Sequence, residues 1–366
     1  MTNHFEATKV HILTPLLKKN VHLQKAYFMF FKRLLYLIIC IAFFNISNVF
    51  SQSFNTDNRM QKLIQPPYLK IGDTVAIVAP SGILKNRIEE IKRATDLLEG
   101  WGLHVIIGKH VFKQANHFAG TDEERCEDFQ NALDNPKVSA ILCARGGYGA
   151  VRILDKLNYS KFKIDPKWVI GYSDITALHN QIHNEGFQSL HALMGVSLTK
   201  NLEEIKETVA SFKTAIFGKQ LSYTLEGSKY NKTGSVTAPL VGGNLTMLHT
   251  MLGSKTSIDT SGKILFIEEI GEYKYHIDRM LQSLKRAGYF DNCKGVIIGD
   301  MTKLRKNTTL WGTSIEQLIL DVLSEYNFPI AFNMPAGHEK DNRALILGRI
   351  VKLDVNNERS TVVFEE

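Results

Sequence analysis

Cysteine is scarce in this 366-residue chain, and what there is does not assemble into a site. Of the four, Cys40 lies in an apolar N-terminal run, while Cys126, Cys143 and Cys293 are far apart. An odd, widely spaced set has neither metal-ligand spacing nor the form of a disulfide framework, so free buried thiols are expected. Excess charge is nearly missing too, once the N-terminus is set aside. Residues 1–51 carry Lys9, Lys18, Lys19, Lys25, Lys32 and Arg33 against Glu6, which is +5 of the formal +7 and leaves +2 for the remainder. No basic footprint for nucleic acid survives that subtraction. The apolar run Leu34–Phe44 is too short for a comfortable bilayer span. The G-x-G-x-x-G and Walker spacings are absent, and no internal repeat is visible. What is present is ordinary for a globular protein: 44% hydrophobic and 22% charged residues, with length enough for two domains.

Lys32 and Arg33, the apolar run after them, and Val49-Phe50-Ser51 ahead of Gln52 form the n-region, h-region and cleavage site of a secretory signal. Met29 makes a more ordinary start for it than Met1. Export, to the periplasm, is the expectation, with an uncleaved membrane anchor as the alternative and no membrane contact once the leader is removed. Lipidation at Cys40 is discounted because Ile39 precedes it, where a lipoprotein signal has a small residue.

Residues 52–67 read as a polar lead-in, 68–200 as a first domain, 201–234 as a connection and 235–366 as a second domain. Thr74–Val78, a helix with Ile88, Ile91, Ala94, Leu97 and Leu98 on one face, and Leu103–Gly108 form a βαβ pattern, which calls for a parallel sheet. A helix over Gly120–Leu133 carries Asp122, Glu123 and Glu124 in its first turn, where they suit the dipole. Val138–Ala144 is almost free of polar residues, as a central strand covered on both faces would be. Farther along, strands are expected at Ser235–Val241, Lys263–Ile267 and Gly295–Gly299, with Gly242-Gly243-Asn244 as a turn. Helices are expected at Glu203–Phe217, Leu245–Leu252, Tyr275–Arg286 and Ser314–Tyr326. Ala344–Phe364 alternates like an antiparallel hairpin.

The stretch Trp168–Thr176 reads W-V-I-G-Y-S-D-I-T. A short strand followed by a helix places Gly171-Tyr172-Ser173 on the turn between them, where a nucleophile elbow lifts a serine hydroxyl toward the first N–H groups of the helix. Ser173 is the candidate nucleophile; the alternative is that Ser173 or Asp174 only caps the helix. Arg145-Gly146-Gly147-Tyr148-Gly149 follows another strand, so it reaches the same sheet edge, as an oxyanion loop or a phosphate loop. A serine nucleophile needs a base, usually a histidine oriented by a carboxylate. His179 and His183 ride on the helix after the elbow and point away from its start, as packing or surface groups. His191 has no defined context. His338, in a loop after Pro335-Ala336-Gly337, is better placed. Glu268, ending Leu265-Phe266-Ile267, has a similar position, with helix capping as its other explanation. Strand alternation lets only one of Glu268 and Glu269 face a cleft.

Taken together, G-Y-S-D-I-T at 171–176, A-R-G-G-Y-G at 144–149, L-F-I-E-E at 265–269 with Y-H-I-D-R-M at 275–280, and P-A-G-H at 335–338 resemble the LD-carboxypeptidase family. That family includes murein tetrapeptide carboxypeptidases and microcin-immunity serine peptidases. The resemblance spans Ile71 to the C-terminus. It implies an α/β protein with an N-terminal Rossmann-like parallel-sheet domain, a C-terminal β-rich α/β domain and an active site at their interface. By motif, Ser173 is the nucleophile, His338 the base and Glu268 its orienting carboxylate. The N–H groups of Asp174 and Gly147 form the oxyanion hole. Arg145, Gly146 and Tyr148 line the substrate side, Arg145 either pairing with the substrate carboxylate or bracing the loop. The substrate implied is a murein tetrapeptide losing its terminal D-alanine, with no metal and no cofactor, and a homodimer is the family's usual assembly. An immunity-type amide hydrolase and a non-catalytic muropeptide-binding module are the rival functions. The sequence departs from the family at Ala192-Leu193, where Gly-Pro is frequent, and at Leu345-Ile346-Leu347, where a proline is common.

Overall fold

The computed structural model describes residues 29–32, 36 and 63–365. Most of the expected leader, and the lead-in before residue 63, lie outside the described residues. Among the described residues no helix is long and apolar enough to cross a membrane.

From Thr74 to His191, strand and helix alternate. Strand β1 (Thr74–Val78) is followed by α1 (Ile88–Glu99), which buries Ile91, Ala94 and Leu98 at helical spacing, and by β2 (His104–Ile107). Helix α2 (Asp122–Asp134) starts at a capping box in which Thr121 and Glu124 satisfy each other's backbone N–H groups, with Asp122 and Glu123 beside them in the first turn. Strand β3 (Val138–Cys143) follows, then α3 (Ser160–Ile164), β4 (Trp168–Gly171), a 3-10 turn over Ser173–Ile175, α4 (Thr176–Asn184) and β5 (Ser189–His191). All five strands pair in parallel, with β3 between β1 and β4. Its apolar sequence is explained by that position: both faces are covered.

The second sheet takes over after α5 (Lys206–Ile216) and β6 (Ser222–Glu226). The elements that follow are β7 (Gly234–Asn244), α6 (Leu245–Thr250), β8 (Ile264–Ile270), α7 (Lys274–Arg286), β9 (Gly295–Thr302), α8 (Ile315–Val322) and β10 (Ile330–Ala331). The chain ends with β11 (Leu345–Leu347), β12 (Ile350–Val355) and β13 (Arg359–Phe364). The seven strands run β10-β9-β8-β7-β12-β13-β6, parallel from β10 to β7 and antiparallel from there to β6. The molecule is thus α/β, a parallel-sheet first half joined to a second, mixed sheet.

Three local expectations give way. Gly242-Gly243-Asn244 is the end of β7 rather than a turn. Both positions require glycine: each has positive φ, and a Cβ on Gly242 would lie 2.0 Å from the Phe266 carbonyl oxygen, one on Gly243 2.5 Å from Thr176 Oγ1. Only β12 and β13 form the terminal hairpin; Leu345–Leu347 instead closes the first sheet, antiparallel to β5. Gly348, at φ +87°, makes the turn that lets the chain leave one sheet for the other. The stretch 201–234 is more than a connection, since β6 pairs with β13 at the edge of the second sheet.

The three cysteines among the described residues are free thiols, Cys143 and Cys293 buried and Cys126 partly so. Burial pushes all three thiols up from their ordinary range, which keeps them protonated.

Candidate active site

Strand β4 delivers Ser173 in an unusual conformation. Its φ is +64°, a left-handed setting that costs a side-chain-bearing residue roughly 1–2 kcal/mol and is kept only where the surroundings impose it. Here they do. Gly146 lies so close that a Cβ on it would be 3.1 Å from Ser173 Cβ and 3.3 Å from Ser173 Oγ. Asp174, next along, is 1% exposed and faces inward. One of its carboxylate oxygens accepts from Ser81 Oγ at 2.5 Å and from the Ala150 N–H at 2.8 Å, so the elbow, the end of β1 and the glycine-rich loop are held by one side chain. Burial raises its pKa; those two hydrogen bonds and the Arg125 guanidinium pull the other way.

The glycine-rich loop is braced from beneath as well. Arg125, 1% exposed, donates to the Gly149 carbonyl at 2.9 Å and also to Pro80 O and Asp122. Gly147 takes φ +100°, and among the described residues its N–H has no backbone partner. The N–H of Asp174 is a first-turn group, for which a helix supplies no carbonyl. Arg145 donates to the Ile83 carbonyl, a bracing contact, and Tyr148 is 47% exposed beside Phe118.

Glu268 and His338 come from the other sheet. Glu268 is fully buried near the end of β8, and its Oε2 accepts from His338 Nδ1 at 2.7 Å across 70 residues of sequence. An ionised carboxylate can only accept, so Nδ1 carries the proton and Nε2 is left as the ring's acceptor. Burial alone would lower the His338 pKa; the Glu268 hydrogen bond, with the charges of Glu268, Glu269 and Asp300, more than offsets it and the net shift is upward. Glu269 serves a different end. It accepts from Thr246 N and Thr246 Oγ1, both at 2.7 Å, and from Asn244 Nδ2 at 3.2 Å, anchoring the start of α6. A shift in the β8–β9 register between Ile267 and Glu269 accompanies this division of the pair.

Two further groups hold the His338 loop. Asp300 at the end of β9 accepts from the Glu339 N–H at 3.1 Å, and burial pushes its pKa up to about 6. Asn342 Oδ1 accepts from the Gly337 N–H at 2.9 Å. Gly337 has φ +144° and no room for a Cβ, which would stand 2.9 Å from Asp300 Cβ. Neither Asp300 nor Asn342 carried a sequence signal beyond following a strand or lying near P-A-G-H.

The two lobes are stitched at this point. Asn244 N donates to Thr176 Oγ1 at 3.0 Å, joining the end of β7 to the start of α4. The Tyr172 ring packs edge-on against the His338 ring, centroids 5.0 Å apart, so the residue before Ser173 touches the imidazole. Among the described residues Ser173 Oγ and His338 make no direct hydrogen bond; in the ligand-free state of a hydrolase such bonds are frequently long and tighten with substrate.

The remaining histidines stay out of this cluster's chemistry. His179 bonds the Gly171 carbonyl at 2.8 Å and His183 is partly covered on the same helix; burial takes each down to about 4. His191 is fully buried between Tyr172 and Phe266, at 5.9 and 5.1 Å between ring centroids, and burial takes it down to about 3.

An elbow serine on a parallel sheet, with the residue before it packed on the imidazole of a buried carboxylate–imidazole pair from a second sheet, suits a hydrolase that works through a serine. The comparisons narrow that class. Residues 75–192 match the LD-carboxypeptidase N-terminal domain and residues 237–353 the LD-carboxypeptidase C-terminal domain. A Bacillus subtilis (strain 168) protein named "Probable murein peptide carboxypeptidase" is 35% identical over 305 residues, covering 82% of this chain and 94% of the relative. The crystal structure of muramoyltetrapeptide carboxypeptidase from Oxalobacter formigenes superposes with a TM-score of 0.74 at 28% identity, over 80% of this chain and 99% of that one. A microcin C7 self-immunity protein shares the fold, with a TM-score of 0.72 at 23% identity over 83% of this chain and 99% of that one. The chain belongs to the LD-carboxypeptidase family of serine-type peptide-bond hydrolases.

Proposed function

We propose that the protein releases the terminal D-alanine from murein tetrapeptides by cutting the amide between the L-centre of the third residue and that D-alanine. The names of its relatives support the substrate class: a murein peptide for the Bacillus protein and a muramoyl tetrapeptide for the Oxalobacter one. Ser173 attacks the carbonyl carbon, His338 Nε2 takes the hydroxyl proton, and Glu268 holds the imidazole in the required tautomer and stabilises it when charged. The N–H groups of Gly147 and Asp174 receive the oxyanion; a single such donor is worth on the order of a hundredfold in rate. His338 then passes the proton to the departing D-alanine nitrogen, and water hydrolyses the acyl-serine with the same base. Arg145 acts here as a brace for the loop.

The observation that carries this reading is the 2.7 Å His338–Glu268 bond beside a serine held at φ +64°. Ser173→Ala is expected to fold and to lose tetrapeptide cleavage; a variant that still released D-alanine at the native rate would remove Ser173 from its role. The reaction serves cell-wall peptide recycling or remodelling in an exported protein. Fractionation of cells making the chain with and without residues 29–51 tests that location, and equal periplasmic recovery of both would refute it.

A further inference from the structure

Beyond Glu268 and Asp300, the parallel half of the second sheet leads into two loops that the proposed chemistry does not use. Strand β8 runs on into Gly271, Glu272 and Tyr273, and β9 into a loop over residues 303–313. The loops are tied together: Arg305 N donates to the Glu272 carbonyl at 2.9 Å, and Lys274 Nζ to the Thr313 carbonyl at 2.5 Å. Fixed at its ends, the second loop presents its middle to solvent, with Leu310 92% and Trp311 37% exposed and Tyr275 opposite at 44%. A cleft of about 480 Å³ lies between them, lined by Tyr273, Tyr275, Asn307, Thr308, Leu310 and Trp311. The Tyr273 and Tyr275 rings are stacked, centroids 5.5 Å apart, and Asn307 Oδ1 has no hydrogen-bond partner.

The lining selects a chemistry. A wholly apolar ligand would leave Asn307 Oδ1 without a partner, and a small ion would leave the aromatic surface exposed. A pyranose offers what both halves need, an apolar C–H face for the rings and hydroxyls and an acetamido group for the polar side chains. The position fits as well. Ligands of open α/β sheets bind beyond the carboxyl ends of the strands, and this cleft lies at the same ends of β8 and β9 that carry Glu268 and Asp300. Tyr273 is five residues from Glu268, within about 18 Å by chain contour, and the three peptide residues between a muropeptide's sugar and its scissile amide extend about 10–11 Å.

We propose that this cleft holds the amino sugar of muropeptides that still carry their saccharide, so that the enzyme prefers glycan-bearing tetrapeptides to free ones. The proposal rests on the murein-peptide reading above. It is tested on the purified full chain with three compounds: the free tetrapeptide, the same peptide on its N-acetylglucosaminyl–N-acetylmuramic acid disaccharide, and the disaccharide alone. Native protein is expected to favour the glycan-bearing peptide about tenfold in kcat/KM, expressed in KM. Trp311→Ala and Tyr275→Ala, both at exposed positions, are expected to abolish that preference and leave free-tetrapeptide turnover unchanged. The disaccharide alone is expected to quench Trp311 fluorescence in the native protein and to leave Trp311→Phe unaffected. Equal turnover of both peptides by the native protein, or variants that keep the preference, would overturn the proposal. So would a change in sedimentation on Trp311→Ala without any saccharide effect, which would mark the cleft as a contact between copies of this chain. Quenching by the disaccharide with neither peptide cut would sustain the sugar site and refute the peptidase reading; cleavage of free peptide with no saccharide effect would do the reverse.

Discussion

Glu268→Gln keeps the size of the side chain and removes its charge, at a position that is fully buried and bonded to His338 Nδ1 at 2.7 Å. A hydrogen bond to a charged group contributes about 1.5–3 kcal/mol, so loss of the carboxylate lowers the imidazole pKa. In the native protein burial pulls that pKa down while Glu268 and its acidic neighbours raise it to a net upward shift; in the variant the opposing pull of burial gains weight. The base works deprotonated, so kcat/KM rises with pH through the His338 pKa, and this acid limb is expected to move to lower pH. At the plateau kcat is expected to fall by roughly two to four orders of magnitude, because a glutamine amide can turn its NH2 toward Nδ1 and favour the tautomer that cannot accept the serine proton. KM for the tetrapeptide stays near native. Release of D-alanine measured from pH 4.5 to 9, with circular dichroism to verify the fold, reads both effects. An acid limb that stays in place, or a kcat within threefold of native, would refute the role assigned to Glu268.

The strain at residue 173 has a measurable counterpart. Ser173→Gly is expected to be more stable than Ser173→Ala by about 0.5–1 kcal/mol, the left-handed cost of an L-residue less the extra chain entropy of glycine. Denaturant unfolding of the two inactive variants decides it, and an alanine variant as stable as the glycine one would refute the strain. Asp300 makes a pH prediction of definite sign. Its folded-state pKa is raised to about 6 from 3.8, so the stability its protonated form supplies is complete below the unfolded value and is lost as pH rises through about 6. Asp300→Asn keeps an acceptor for the Glu339 N–H without that loss, and its melting temperature relative to native is expected to climb between about pH 4 and 7. A constant difference across that range would show that Asp300 titrates normally.

Much of the site's architecture lies in local patterns. A short apolar strand, a G-Y-S-D turn and a helix carry the elbow within nine residues, 168–176, and the glycine cluster after β3 carries its companion loop. Such patterns are legible because β and helical periodicity, caps and turn residues depend on neighbours in sequence. Alternation also stated that Glu268 and Glu269 divide between two faces. Which one meets the imidazole depends on partners far away in sequence, Thr246 for one and His338 for the other. Asp300 and Asn342 were illegible for the same reason, since each acts on the His338 loop only after β9 and the P-A-G-H segment are folded side by side.

Leu345–Leu347 marks the boundary most clearly. Its three apolar residues declare a strand, yet they suit the core of either sheet equally, and pairing with β5 instead of β12 is a choice among non-local partners. Composition and periodicity determined the α/β class, the elbow serine and the pool of acids and histidines. Tertiary structure alone decided which glutamate meets which histidine, and that the Tyr172 ring carries the serine's strand up to the imidazole. Local conformation answers to adjacent residues, whereas a site built from two sheets answers to packing that only the whole folded chain can specify.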